Sequence, residues 1–264
     1  MPETVEVSII VDHIREKFKN ATLKNISINS GRYKKHNPPI GYSKFIKILP
    51  SKIISFNNKG KFIYLILENN ISIWITLGLT GDLLLKPAKH SHVTFETNKG
   101  DFYFNDIRNF GTIKFSFNKA ELDKKLNTLG PDPLTEDLTK SQFIKIMRKP
   151  SLQKKQIGTV LMNQKVVSGI GNYLRAEILY DAKISPFSTI ENLSDEELIT
   201  LLKSINKIIL QSYKKQYQKG LHTYNFAVYQ QKETKKGEKV ECKNMDGRTI
   251  WYVNNNVKES RIKK

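Results

Sequence analysis

Asn163-Gln164-Lys165-Val166-Val167-Ser168-Gly169-Ile170-Gly171-Asn172-Tyr173-Leu174-Arg175-Ala176-Glu177 lies in the second half of a 264-residue chain and governs how the rest is read. The stretch 156–164 before it and the stretch 173–181 at its end both read as helices. They are joined by the turn Gly169-Ile170-Gly171-Asn172, in which two glycines permit a close backbone approach and a polar residue caps the helix that follows. Exposed N–H groups at such a helix start can grip phosphate. A tight turn between two helices needs the same glycines, so the turn alone does not choose between the two roles.

The reading extends outward from there. Thr139 with Gln142 and Ser194 with Glu197 match capping boxes, and the second opens an amphipathic helix with Leu198, Leu201, Leu202, Ile205, Ile208 and Ile209 on one face. Toward the C-terminus, 225–231 and 248–253 read as two strands of a hairpin with a Lys/Gly-rich connection. Upstream, Gly130-Pro131-Asp132-Pro133 reads as a linker or hinge. Before it, 62–68, 71–77, 93–96, 102–105 and 112–117 are short β-rich runs, which suggest a sandwich or barrel. The N-terminal segment 5–18 places Val7, Val11, Ile14 and Phe18 on one helix face.

The expected fold is α+β. A helix and β-sandwich domain, 1–130, precedes a helical domain, 131–264, with a hairpin at about 225–256. Two domains joined by a hinge would leave a cleft able to clamp a duplex.

Net charge is +19, from 44 basic and 25 acidic residues, which suits a polyanionic partner. The basic residues are 37 Lys and only 7 Arg, scattered in pairs such as Lys34-Lys35, Lys154-Lys155 and Lys263-Lys264, so a solvated basic surface is the competing explanation. Cys242 is the single cysteine, which excludes an intramolecular disulfide and a cysteine-built zinc site. No signal peptide pattern and no run of about 18 apolar residues is present, so an intracellular, soluble protein is expected, nuclear or cytoplasmic according to its host.

Three spaced features converge: the opening Met1-Pro2-Glu3-Thr4-Val5-Glu6-Val7, the central stretch quoted above, and Asp246-Gly247-Arg248-Thr249-Ile250-Trp251-Tyr252. In order between them come Lys59-Gly60-Lys61-Phe62, Leu77-Gly78-Leu79-Thr80-Gly81, Asp106-Ile107-Arg108-Asn109-Phe110-Gly111 and Leu129-Gly130-Pro131-Asp132-Pro133-Leu134. Over essentially the whole chain this set resembles the Fpg/Nei DNA glycosylases, with their Pro-Glu start, helix–two-turn–helix motif and finger arginine.

The resemblance implies a catalytic set of Pro2, Glu3 and Lys61. With Met1 removed, Pro2 would offer a free secondary amine. An α-amino group titrates near ~8, against ~10.4 for lysine, so a usable fraction is neutral at physiological pH. Attack on a sugar C1′ would give an iminium that expels the base and then phosphate. Glu3 would be the general acid at the sugar ring oxygen. Glu6 matches a further carboxylate of the opening, and is equally a first-turn acid favoured by the helix dipole. Lys61, with Lys59 as competitor, would contact phosphates around the lesion; otherwise it is an exposed strand lysine.

The implied DNA-binding residues are Asn172, Arg248, Arg108, Phe110 and Leu79. Asn172 and Arg248 would hold phosphate, with a plain hairpin-turn arginine as the other reading of Arg248. Arg108, Phe110 and Leu79 would fill the hole left by a flipped base, or else pack their own loops. Family members often carry four zinc cysteines in the hairpin; here Val253 stands where a pair would begin. A zincless finger packed by Trp251 and Tyr252 is therefore expected, with no metal or cofactor. Thr4-Val5 also departs from the usual opening.

The segment 216–224 is short where Fpg-type enzymes carry a longer loop, which points to the Nei-like branch and to oxidised pyrimidines and hydantoins. The expected activity is that of a bifunctional glycosylase/AP lyase of base excision repair, a monomer acting on damaged double- or single-stranded DNA. The alternatives are a non-catalytic nucleic-acid-binding protein on the same scaffold and, more remotely, a basic RNA-binding protein.

Overall fold

The computed structural model describes residues 2–254 and divides into two compact units, Met1–Thr128 and Leu129–Lys264. The C-terminal tail with Lys263-Lys264, the final residues of the expected finger, and Met1 lie outside the described residues.

The first unit opens with helix α1 (Thr4–Phe18), whose first two turns are buried on nearly every side, from Thr4 to Val11. Strand β1 (Thr22–Ile28) follows, then the short helices α2 (Arg32–Lys35) and α3 (Tyr42–Phe45). Strands β2 (Ser51–Lys59), β3 (Phe62–Leu67), β4 (Ser72–Thr76), β5 (Gly81–Leu84), β6 (Ser91–Thr97), β7 (Gly100–Asp106) and β8 (Thr112–Ser116) complete the sheet, and helix α4 (Lys119–Asn127) closes the unit.

The strand order is β5-β7-β6-β1-β2-β3-β4-β8. The join between β1 and β2 spans only two residue pairs, Thr22↔Lys52 and Leu23↔Ser51, so the sheet bends into two four-stranded halves. Their inner residues meet in an aromatic core: Phe18 of α1 lies 6.5 Å from Phe56 on β2 and 5.2 Å from Phe102 on β7, centroid to centroid. Phe95 and Phe102 stack at 4.5 Å across the β6–β7 pair.

The alternation that marks a half-buried strand is plain in β7, where Phe102, Phe104 and Asp106 point inward. It fails in β1 and β2, which the sequence reading does not identify. Each has a bulge, between Leu23 and Asn25 and between Ile53 and Ser55. The buried pairs Leu23/Ile26 and Ile53/Phe56 are consequently three residues apart instead of two. Helix α4 is missed for another reason, since Leu122 is its one buried residue.

The second unit holds helices α5 (Lys140–Met147), α6 (Ile157–Met162), α7 (Asn172–Ala182) and α8 (Asp195–Lys219), then strands β9 (Val240–Met245) and β10 (Arg248–Val253). Thr139 and Ser194 are N-caps with complete capping boxes, as their spacing predicts. The predicted apolar face of α8, from Leu198 to Ile209, is buried throughout. Gly130-Pro131-Asp132-Pro133 is not a loose linker. The Gly130 N–H donates to the Gln164 carbonyl at 2.9 Å and the Pro131 carbonyl accepts from Ser168 N–H at 2.9 Å. A Cβ on Gly130 would come within 2.5 Å of Val166 backbone atoms, an approach that only glycine permits.

The hairpin requires a correction. Residues 225–231 form no strand; β10 pairs instead with β9, in register from Arg248↔Met245 to Val253↔Val240. The turn between them is Asp246-Gly247, both at positive φ (52° and 74°), as a two-residue primed turn demands. The segment read as a strand satisfies its backbone differently. The N–H groups of Ala227, Val228 and Tyr229 all donate to the carboxylate of Glu177 on α7, at 2.8, 2.9 and 2.8 Å. The apparent alternation of Phe226 and Val228 reflects packing around that clasp, not a ladder.

Glu177 is 2 % exposed, and burial raises its pKa above the usual carboxylate range while the three N–H bonds pull it back. Glu177→Gln presents an amide NH2 to one of those N–H groups. A loss of about 1–3 kcal/mol is expected in urea unfolding. Because the folded-state pKa is raised, the native form binds this proton more tightly than the unfolded chain. The Glu177 contribution is therefore largest at acid pH and falls as pH rises through the raised value. The stability gap between wild type and Glu177→Gln should narrow from acid to neutral pH, and a widening gap would contradict the assignment.

Candidate functional site

The N-terminal candidates sit together at the start of α1. Pro2 is half-exposed, and Glu3, the N-cap residue, is 2 % exposed with extended backbone (φ −104°, ψ −174°). The Glu6 carboxylate accepts the Glu3 N–H at 2.8 Å. Glu6 thus satisfies a donor that the helix start leaves open and holds the Glu3 backbone in place.

Lys61 lies half-exposed in the two-residue turn between β2 and β3, after Gly60 at φ 55°. Sequence reasoning missed what anchors this turn. Asn58 Nδ2 donates to Ser8 Oγ on α1 at 2.9 Å and to the Gly60 carbonyl at 3.3 Å, tying the lysine turn to the helix that carries Pro2 and Glu3.

Leu79 occupies the β4–β5 turn, while Arg108 and Phe110 occupy the β7–β8 loop. The two loops are one assembly, organised by Asp106, which is 0 % exposed. Its Oδ1 accepts from Thr80 Oγ1 at 2.6 Å and from Arg108 N–H at 3.3 Å, and its Oδ2 accepts from Gly111 N–H at 2.7 Å. Gly78, at φ 60°, lies so close to the second loop that a Cβ would meet Gly111 N at 2.9 Å. On this base Phe110 is 52 % exposed, and the Arg108 guanidinium stacks 4.7 Å from its ring centroid. Leu79 is half-exposed.

In the second unit α7 starts at Asn172, but the residue does not cap the helix as the turn suggests: the N-cap is Gly171, without a side-chain cap bond, and the Asn172 side chain turns to other partners. Its Nδ2 donates to the Thr249 carbonyl on β10 at 2.9 Å, and its Oδ1 accepts from Arg175 Nη2 at 2.5 Å. Asn172 is therefore bonded to the residue that follows Arg248, which is exposed at the first position of β10. Arg175, 1 % exposed, also donates to the Gly158 carbonyl of α6 at 3.3 Å. The hairpin turn is fastened to the same helix, with Thr159 Oγ1 donating to Asp246 Oδ2 at 2.5 Å.

Aromatic packing completes the attachment. Trp251 meets Tyr229 at 4.7 Å and Tyr252 meets Phe187 at 5.1 Å, both edge-on, while Val253 packs with Ala176 and Val228. Cys242 is exposed on β9. Among the described residues no group of three or more His, Cys, Asp or Glu side chains is placed to hold a metal ion, and no helix is long and apolar enough to cross a membrane.

Residues 1–113 match the family model for the formamidopyrimidine-DNA glycosylase N-terminal domain, and residues 129–223 match that for the formamidopyrimidine-DNA glycosylase H2TH domain. The formamidopyrimidine-DNA glycosylase of Carboxydothermus hydrogenoformans is 31 % identical over 215 residues, covering 79 % of this chain and 76 % of that protein. The chain belongs to the formamidopyrimidine-DNA glycosylase family. Membership makes it a DNA glycosylase of base excision repair. The glycosylase of Ureaplasma parvum is 30 % identical over 236 residues, covering 86 % of this chain and 83 % of that protein. In fold, the chain is similar to MutM in complex with DNA containing carbocyclic 8-oxo-G. The TM-score is 0.85 at 22 % identity, over 98 % of this chain and 100 % of that one. It is also similar to the Lactococcus lactis enzyme in complex with DNA containing an oxidised pyrimidine, with TM-score 0.83 at 22 % identity, over 98 % and 100 %. The hairpin of β9 and β10 lies outside both matched regions.

Asp106→Asn would set an amide NH2 against at least one of the three donors. It should lower stability by about 1–3 kcal/mol in chemical denaturation. Thr80→Val, which leaves the two backbone donors paired, should cost less. Equal costs would mean that the carboxylate does not organise the loops.

Proposed function

We propose that this glycosylase is bifunctional, a DNA glycosylase and AP lyase in which Pro2 is the nucleophile. The observation that carries the proposal is the Pro2-Glu3 pair at the head of α1, with Glu6 clamping the Glu3 N–H. With Met1 removed, the Pro2 amine attacks C1′ and the glycosidic bond breaks. Glu3 supplies a proton at the sugar ring oxygen; the resulting iminium acidifies C2′, whose proton is lost as the 3′ phosphate leaves, and the conjugated product then loses a C4′ proton as the 5′ phosphate leaves. Lys61 contacts phosphate near the lesion. Asn172 and Arg248 hold backbone phosphate, supported by the Asn172–Thr249 bond that couples them. Arg108, Phe110 and Leu79 occupy the space of the extruded base, as their exposure on a braced loop pair permits.

The substrate is damaged DNA, double-stranded or single-stranded. The enzyme acts as a monomer with two domains, 1–130 and 131–264, inside the cell. Its finger is zincless, held by Trp251, Tyr252 and the Thr159–Asp246 bond in place of a metal. Its lesions are those of the Nei-like branch, oxidised pyrimidines and hydantoins. Support for that range is the hairpin built without zinc cysteines; the short connection read at 216–224 adds nothing to it, because α8 runs to Lys219 and residues 220–239 lie between it and β9. A second reading, with formamidopyrimidines and 8-oxoguanine as substrates, is favoured by the relatives, which are named formamidopyrimidine-DNA glycosylases.

Borohydride trapping on a duplex with one abasic site tests the nucleophile. Protein whose intact mass begins at Pro2 should give a covalent band that Pro2→Gly weakens or loses, and no band from such protein would sink the lyase. Glu3→Gln should slow base release by about 10²–10⁴-fold while keeping more of its activity on a preformed abasic site. Duplexes carrying an oxidised pyrimidine or 8-oxoguanine then separate the two substrate readings.

A further inference from the structure

The chain has no acidic residue from Lys17 to Leu67, a stretch that includes Arg32, Lys34, Lys35, His36 and Lys61. Within it, the segment entering α2 is pressed against the loop that carries Arg108 and Phe110. The N–H groups of Asn29 and Ser30 donate to the His92 carbonyl at 2.8 and 3.3 Å, and the His92 ring bridges Ser30 Oγ (2.7 Å) and the Asp106 carbonyl oxygen (2.9 Å). The Arg32 N–H donates to Asn109 Oδ1 at 3.2 Å, between Arg108 and Phe110 in sequence. Gly31, at φ 72°, makes the approach possible, because a Cβ there would lie 2.6 Å from both Asn109 Oδ1 and His92 Cγ.

This scaffold presents the half-buried Arg32 in a defined place. Its guanidinium lies 4.7 Å from the Tyr33 ring centroid and donates from Nη2 to Tyr33 Oη at 2.8 Å. Tyr33 is itself pinned to β8, since its hydroxyl accepts from Ile113 N–H at 2.6 Å. Stacking and one neutral hydrogen bond orient the fork, but neither neutralises it. Among the described residues no carboxylate pairs with Arg32, and the surrounding sequence supplies none. A guanidinium held in position with donors to spare is suited to a phosphate.

We propose that Arg32 is a phosphate-binding residue for DNA, seated beside the base-replacing loop and taking a backbone phosphate near the lesion. The proposal rests on the DNA-repair reading above and adds a contact to it. Because Arg32 and the Arg108–Phe110 loop share Asn109, the phosphate contact and the gap-filling side chains keep a constant spacing when the protein engages a duplex.

The test is the salt dependence of binding. Fluorescence anisotropy follows wild type, Arg32→Gln and Arg32→Ala on a duplex carrying a tetrahydrofuran abasic analogue, over about 50–200 mM salt. Loss of one phosphate contact should reduce the slope of log K against log salt by about 0.9 and weaken binding by about tenfold at the low-salt end. Arg32→Lys should retain the slope. Arg32→Gln keeps a donor for Tyr33 and guards against a folding defect in the alanine variant, with thermal melting as the check. A wild-type slope in both charge-removing variants would overturn the assignment and leave the repair reading intact. Wild-type protein that binds no duplex at any salt would overturn both.

Discussion

Three buried carboxylates hold irregular parts of this protein, and two of those parts carry candidate site residues. A loop that leaves regular structure must still pair its N–H groups, and each left open in the interior costs free energy. Asp106 closes the loop of Arg108 and Phe110 and draws in Thr80 from the turn that carries Leu79. Glu177 gathers three successive N–H groups from the segment after α8. Glu6 takes the N–H of Glu3. Charge-assisted bonds are strong enough to fix a segment that has no ladder of its own. They come at the cost of desolvating the charge, and the raised pKa of Glu177 shows that cost exceeding what its donors return.

The fold was legible where periodicity reported burial directly. In α8 the interval between buried leucines and isoleucines equals the helix repeat, and in β7 the interval between phenylalanines equals the strand repeat. It was illegible where a bulge changes the interval, as in β1 and β2, or where a single side chain carries the packing, as in α4. The hairpin misled for a related reason. Strand β9 buries only Met245, so its pattern carries almost no signal, while Phe226 and Val228 mimic alternation in a segment that pairs with a side chain. Pattern reports burial; it does not report which partner satisfies the backbone.

The candidate site divides in the same way. Pro2, Glu3, Lys61, Asn172 and Arg248 could be named from motifs, because each belongs to a short run of fixed composition. Their supports could not. Ser8 and Asn58 are separated by about fifty residues and neither stands out alone. Arg175 lies inside the central motif, yet its work is to orient Asn172 and hold α6, which only its burial discloses. Thr159 and Asp246 meet across nearly ninety positions. Such pairs depend on packing at long separation, for which one sequence carries no spacing rule.

The hairpin shows how these supports combine. An isolated pair of strands is at best marginally stable in water, and one that must present an arginine needs a fixed base. Here the base has three parts. The Asp246-Gly247 turn sets the register, the Thr159–Asp246 bond fastens the turn to α6, and the aromatic contacts of Trp251 and Tyr252 hold the sides. Asn172 then bonds the strand next to Arg248, so the start of α7 and the arginine are positioned as one piece. A bound metal would concentrate this restraint at one point. Distributing it over an ion-assisted bond, a turn and several rings places Arg248 through contacts that each belong to the helical unit. The position of the arginine therefore depends on the folding of that unit as a whole.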